Sequence, residues 1–211
     1  MSPSPKRSPA ARALARLTCA CCGAAACLAL ASAGSGHASL AVAPPIEEPK
    51  ATDPYVLKAA ALYKVALYGK WPEAAFGGKE EPLRVAVFGA DPFGSALERA
   101  LKGKKLGSHP FAALHFATLG ELGECQMLFV PQSEEPNLAK ILEKYKGRPV
   151  LVLGESAAAA EAGAGVALYF EKSKLQVAVN LQAVRASGIE LSSELLKLAR
   201  VIGARQEGRG K

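Results

Sequence analysis

The stretch VAVFGADPFG, residues 85–94, has the outline of a phosphate-binding loop: a short apolar run, Gly89, and a second glycine at Gly94. Such a loop cradles phosphate with backbone N–H groups, while a following Lys and a Ser or Thr neutralise the anion and hold magnesium. Here Ser95 and Ala96 stand in those two places, so both chemical tools are missing. The dinucleotide pattern G-x-G-x-x-G also fails, because position 91 is aspartate. Asp91 adds negative charge where an anion would sit, and Pro92 removes an N–H donor. Asp91 followed by Pro92 instead fits a helix start, with the acid as N-cap and the proline as first helical residue. The stretch therefore reads as a strand-to-helix turn. Asp91, Pro92 and Phe93 still follow a strand's carboxyl end, where open α/β sheets receive small ligands, and with residues 131–134 and 154–156 they make one candidate ligand rim.

The other residues with chemical potential are scattered. His109 precedes Pro110 in an expected loop, and His115 sits six residues on, with no cysteine or carboxylate close enough in sequence to suggest a metal site. Ser133, Ser156 and Ser187 lack a G-x-S-x-G setting. Glu134 and Glu135 read as a solvated loop. No nucleophile, base and oxyanion donor assemble, so neither a catalytic set nor a cofactor is expected. Trp71 is the only tryptophan, and with Pro72 and Phe76 it either anchors a partner surface or closes the core beneath a helix.

These side chains depend on the elements that carry them. Asp53 before Pro54 caps a first helix, in which Leu57, Ala61, Val65 and Tyr68 recur on one face until Gly69 ends it. Residues 83–88, 112–116, 127–130 and 150–153 read as strands, alternating with helices over 95–101, 137–145 and 157–162. Residues 166–170 and 175–179 flank Glu171, Lys172, Ser173 and Lys174 as a hairpin. Asn180 caps the next helix, which Gly188 stops. Ser192 caps the last, with Leu191, Leu195, Leu198 and Ile202 on one face. The alternation predicts the α/β class: a mostly parallel sheet flanked by helices on both faces, with an antiparallel hairpin near the C-terminal end.

The first 38 residues hold Lys6, Arg7, Arg12 and Arg16 and no acid, then an apolar run rich in Ala, Leu and Cys from Leu17, then small residues around Ala33 and Ala38. That is the plan of a cleaved secretory signal peptide. An uncleaved anchor is the alternative, although the run is short and alanine-rich for a span. Residues 39–53, with three prolines, read as a linker, 54–203 as the folded domain and 204–211 as a polar tail. Of 26 Lys+Arg, four lie in the leader; the 22 that remain face 19 acids, an excess of +3 that is too scattered for nucleic-acid binding. Four of the five cysteines also lie in the leader, so the exported chain keeps Cys125 alone and has no internal disulfide.

Four stretches, in their order and spacing, resemble the YfiR-like family of exported bacterial proteins. They are LKAAALYKVALYGKWPEAAF at 57–76 and PLRVAVFGADPFGSALERALKGKKLGSHPF at 82–111. CQMLFV at 125–130 with GRPVLVLGES at 147–156 follows, and LQVAVNLQAVRASGIELSSELLKLARVI at 175–202 completes the set. The resemblance implies a non-catalytic periplasmic regulator and a homodimer. Its partner would be an inner-membrane signalling protein, a diguanylate cyclase making cyclic-di-GMP; the alternative is a periplasmic small-ligand-binding protein feeding a membrane sensor kinase. Two features depart from the family. Gln126 stands where members commonly have His after the cysteine, and the exported chain has no cysteine pair for a redox switch within one subunit.

Overall fold

The computed structural model describes residues 53–203; the expected leader, the linker up to residue 52 and the tail lie outside the described residues. Asp53 Oδ1 accepts a hydrogen bond from Tyr55 N at 2.8 Å and caps helix α1, Pro54–Tyr68. Nearly every α1 residue is apolar, so periodicity alone does not choose its buried side. The structure buries Ala59, Leu62, Val65 and Ala66; of the expected face, Val65 is buried and Ala61 and Tyr68 are half-buried against the core, whereas Leu57 is exposed and is corrected.

After α1 come β1 (Gly69–Lys70), a 3-10 turn at Glu73–Ala75, β2 (Leu83–Phe88), α2 (Ser95–Leu101), β3 (Lys105–Leu106) and β4 (His109–Phe116). Then follow β5 (Met127–Val130), a 3-10 turn at Gln132–Asn137, α3 (Leu138–Lys144), β6 (Leu151–Gly154) and α4 (Ala157–Glu161). The hairpin β7 (Val166–Glu171) and β8 (Lys174–Asn180), α5 (Leu181–Ala186), β9 (Glu190–Leu191), α6 (Ser193–Leu198) and β10 (Arg200–Ile202) complete the domain. Eight strands form one sheet in the order β10-β8-β7-β6-β5-β2-β4-β3. Strands β4, β2, β5, β6 and β7 are mutually parallel, whereas β8 opposes β7 and β3 opposes β4. The sheet is thus mostly parallel, as its alternating elements predicted.

The chain leaves β2 toward β4 and then reverses to β5. Right-handed crossovers in opposite directions must place their helices on opposite faces. Alternate residues of the central strands follow suit. Val85, Val87, Met127 and Phe129 pack with α1, α2 and α6, while Ala86, Phe88, Leu128 and Val130 pack with Leu138 and Ile141 of α3 and Ala159 of α4. Because β5 and β6 are covered on both sides, all their residues are buried and both runs read as continuous apolar segments.

Several local expectations change. The last helix stops at Leu198, and Arg200–Ile202 extends as β10 beside β8, leaving Leu198 75 % exposed. Without β10, β8 would be an unpaired edge, and Val201 and Ile202 suit a strand. The pairs β1–β9 and β3–β4 involve only two residues per partner, too few for a sequence signal. His109 opens β4 instead of lying in a loop. The β7–β8 turn is only Lys172 and Ser173, both with positive φ (50° and 62°), the geometry of a type I′ hairpin.

Asn180 serves two elements at once. Its Oδ1 accepts from Ala183 N at 3.1 Å to cap α5, and its Nδ2 donates to Ala160 O, at 2.8 Å, in α4. Asn180→Ala removes the cap and the side-chain tie to Ala160 O, which keeps its backbone bond from Gly163 N, so it is expected to cost about 1–2 kcal/mol. Urea denaturation would read this as a lower midpoint at an unchanged slope.

Candidate functional site

The reversal between β2 and β5 opens the crevice in which doubly wound sheets usually bind ligands. In this chain the crevice is filled from within. Gly89 N donates to Phe116 O at 2.9 Å, and Gly89 O meets the His115 ring, so this glycine offers no N–H to a phosphate. Gly89 adopts φ +73°, and a Cβ placed on it would come within 2.4 Å of Glu134 Cγ, which lies across the loop. Glu134 and Glu135 are therefore half-buried in the 3-10 turn after β5, instead of forming the expected solvated loop. Contact with the β2 loop draws in Glu134, and a hydrogen bond from Ser156 draws in Glu135, neither of them visible in sequence.

Asp91, Pro92 and Phe93 separate here. Asp91 Oδ1 accepts from Phe93 N at 2.8 Å and closes an Asx turn, so it does not cap α2 as expected; Gly94 is the N-cap, with φ 50°. Phe93 points inward, only 5 % exposed, edge-on to Tyr55 (5.5 Å) and Phe129 (4.9 Å). Its place in an exposed rim is thereby corrected: an aromatic ring following a tight turn gains more from the core than from water. Asp91 is exposed and Pro92 half-buried.

Beside this loop lies a cluster the sequence did not announce. Lys58 of α1 and Glu155, just after β6, are 5 % and 8 % exposed and form a buried ion pair, with Lys58 Nζ donating to Glu155 Oε1. Glu155 Oε2 accepts from Gln132 N at 2.7 Å. The Lys58 ammonium also faces the rings of Tyr55 (4.7 Å) and Phe170 (5.5 Å). Burial pushes the Glu155 carboxyl up, but the Lys58 ammonium, the Gln132 N–H and the Tyr55 hydroxyl outweigh it and hold the group below its ordinary value. Burial and the neighbouring Glu155 raise Tyr55 to about 12, so it stays a neutral donor. Glu155 is thus a carboxylate committed on both oxygens, unsuited to proton transfer. It ties the start of α1 to the carboxyl ends of β5 and β6. One signal existed for it: Lys58 is a lysine in an otherwise apolar stretch of helix. Nearby, Ser156 Oγ donates to Glu135 Oε2 at 2.9 Å while accepting from Ala159 N to cap α4.

Trp71, Pro72 and Phe76 lie at the opposite, amino end of the sheet, so the structure does not bring the two candidate groups together. Trp71 Nε1 donates to Ala66 O at 3.2 Å, and its ring covers Gly69, where a Cβ would come within 3.0 Å of the indole nitrogen. Phe76 stacks on His109, with ring centroids 3.8 Å apart. Pro72 precedes the 3-10 turn, and all three residues are half-buried. Gln126 stitches this loop to the sheet: Oε1 accepts from Arg84 N (2.8 Å) and Nε2 donates to Ala75 O (2.6 Å). Cys125 is buried 3.7 Å from the Tyr145 hydroxyl, and burial raises its thiol to about 11, away from thiolate reactivity at neutral pH.

Among the described residues, no His, Cys, Asp and Glu side chains gather as a metal site, and no helix is long and apolar enough to cross a membrane. No curated protein matches this sequence. Among solved structures, the ABC domain in complex with L-Trp from Streptococcus pneumoniae is 12 % identical with a TM-score of 0.41, covering 56 % of this chain and 55 % of that one. A conserved domain protein from Vibrio cholerae O1 biovar El Tor is 11 % identical with a TM-score of 0.43, covering 68 % and 59 %. This chain therefore spans little more than half the length of those structures. The YfiR/HmsC-like family matches residues 55–200, from the first turn of α1 to the first residue of β10. With more than two thirds of its length so matched, the chain belongs to the YfiR/HmsC-like family.

Proposed function

We propose that this protein is a non-catalytic periplasmic regulator that binds and restrains a membrane-anchored signalling protein, in first place a diguanylate cyclase that makes cyclic-di-GMP. The observation that carries this is the family match across residues 55–200. The site chemistry is of the same kind. Lys58 and Glu155 are closed on each other, and the Cys125 thiol is buried. In this reading residues 1–38 export the chain, the working unit is a homodimer, and Trp71, Pro72 and Phe76 contribute their exposed edges to partner contact.

Restraint by binding needs a partner with two states, only one of which the regulator engages. Driving such an equilibrium from 1:99 to 99:1 takes about 5.5 kcal/mol of differential affinity, which a modest protein interface supplies. Deleting the gene is expected to raise cellular cyclic-di-GMP several-fold, and the tagged full-length protein should recover an inner-membrane cyclase from solubilised membranes. Unchanged cyclic-di-GMP together with recovery of a sensor kinase would turn the assignment to the kinase-linked alternative. Recovery of neither would overturn both.

A further inference from the structure

Helix α1 lacks a polar side. Its exposed positions are Pro54, Leu57, Ala60, Lys64 and Leu67, a stripe with a single charge. Leu57 and Leu67 are 42 % and 41 % exposed. A surface helix ordinarily turns charged residues to water and its apolar stripe to the core. Here the other lysine, Lys58, points inward, and the outward stripe is left apolar.

Beside that stripe a groove of about 430 Å³ runs between α1 and α2. Alanines Ala60, Ala96 and Ala100 and the Tyr63 ring line its floor, and Lys64, Arg99 and Lys104 rim it. The Lys104 ammonium sits 4.0 Å over the Tyr63 ring. Among the described residues, no carboxylate pairs within 4.0 Å of any of these three cations, and no acid lines the groove. An alanine floor lets another helix approach closely, and the rim selects negative charge.

We propose that the α1–α2 groove docks an amphipathic helix of the partner protein, whose contact face carries small apolar residues flanked by Asp or Glu. The proposal rests on the regulator reading and adds to it a contact surface separate from Trp71, Pro72 and Phe76. Two other occupants fit less well. An isologous dimer through this face would set the cationic rim against itself. An anionic bilayer is flat and would meet the rim without reaching the alanine floor.

The test places a photo-reactive benzoylphenylalanine at position 100 of the full-length chain in living cells, with exposed position 60 as a second site should position 100 disturb packing. Exposed position 161 on α4, across the sheet, serves as control. Cross-links from position 60 or 100 are expected to map to a helical segment of a membrane protein with acids on both sides of an Ala- or Leu-rich stripe. Lys64→Glu, Arg99→Glu and Lys104→Glu combined should lower the yield at least tenfold with an unchanged circular dichroism spectrum. Cross-links only to a second copy, to residues 1–52 of the same chain, to lipid, or to nothing would overturn the docking site, as would a yield indifferent to the charge reversal. A cyclase that co-purifies but cross-links only from the control position sinks this surface and leaves the regulator reading intact. Absence of any membrane signalling protein in the co-purification sinks that reading itself.

Discussion

Lys58→Ala is expected to destabilise the domain by about 3–5 kcal/mol, because it leaves the Glu155 carboxylate buried without its counter-charge. For a chain of this size that corresponds to a fall of about 10 °C in Tm. Both side chains are under one-tenth exposed, so solvent screening does little to soften the loss. The paired substitution Lys58→Met with Glu155→Gln behaves differently. Met fills the lysine's space without a charge, and Gln keeps an acceptor for the Gln132 N–H. The double variant is expected to lie within about 2 kcal/mol of the parent, giving a large coupling in a double-mutant cycle. Additive single effects would show that the two residues act independently.

The same pair sets an acid limit. Folding holds the Glu155 carboxyl below its ordinary value, so the folded chain binds this proton less readily than the unfolded chain. The pair's stabilisation is therefore complete above the unfolded carboxylate's pKa, about 4.3, and fades as pH falls through the lower, folded value. Glu155→Gln should remove that part of the acid dependence. Urea midpoints measured between neutral pH and pH 3 for the parent and this variant would check the slope.

Phe93→Ala is expected to cost about 3–4 kcal/mol, the usual loss for truncating a buried phenylalanine. The ring bridges Tyr55 at the start of α1 and Phe129 in the middle of the sheet, so its removal opens a cavity between helix and sheet. Phe93→Leu conserves much of the volume and should cost about 1 kcal/mol. Asp91→Ala, which removes only the Asx-turn acceptor, should also cost about 1 kcal/mol. A residue on an exposed ligand rim would show the reverse pattern, with Phe93→Ala changing stability by less than about 0.5 kcal/mol. Thermal denaturation of the three variants separates the two roles.

These expectations rest on features of unequal legibility. Strands β2 and β5 and helix α2 match the sequence reading to the residue, because each is a short apolar or helix-forming run bounded by Gly, Pro or polar residues. Helix α1 was legible as a helix but not in its orientation, since alanines on every side blur the period. Residues 193–202 carried a helical period in Leu195, Leu198 and Ile202, yet the free edge of β8 captured Arg200–Ile202 as a strand. A local pattern cannot register an edge that forms only after the hairpin has folded.

By itself the amino-acid sequence determined the α/β class, the failure of residues 85–94 as a phosphate loop, and the kinship with an exported regulator family. Each depends on residues close in the chain or on their order along it. The tertiary structure alone decided that Phe93 belongs to the core, that Glu134 fills the crevice above Gly89, and that the exposed side of α1 is apolar. It also paired Lys58 with Glu155, 97 positions away. In sequence that lysine stands out only as a charge in an apolar stretch of helix, and its partner is set when the sheet brings the buried Glu155 carboxylate beneath it. Which side chains meet across the sheet is settled by crossover handedness and packing, neither of which is written in any local run of residues.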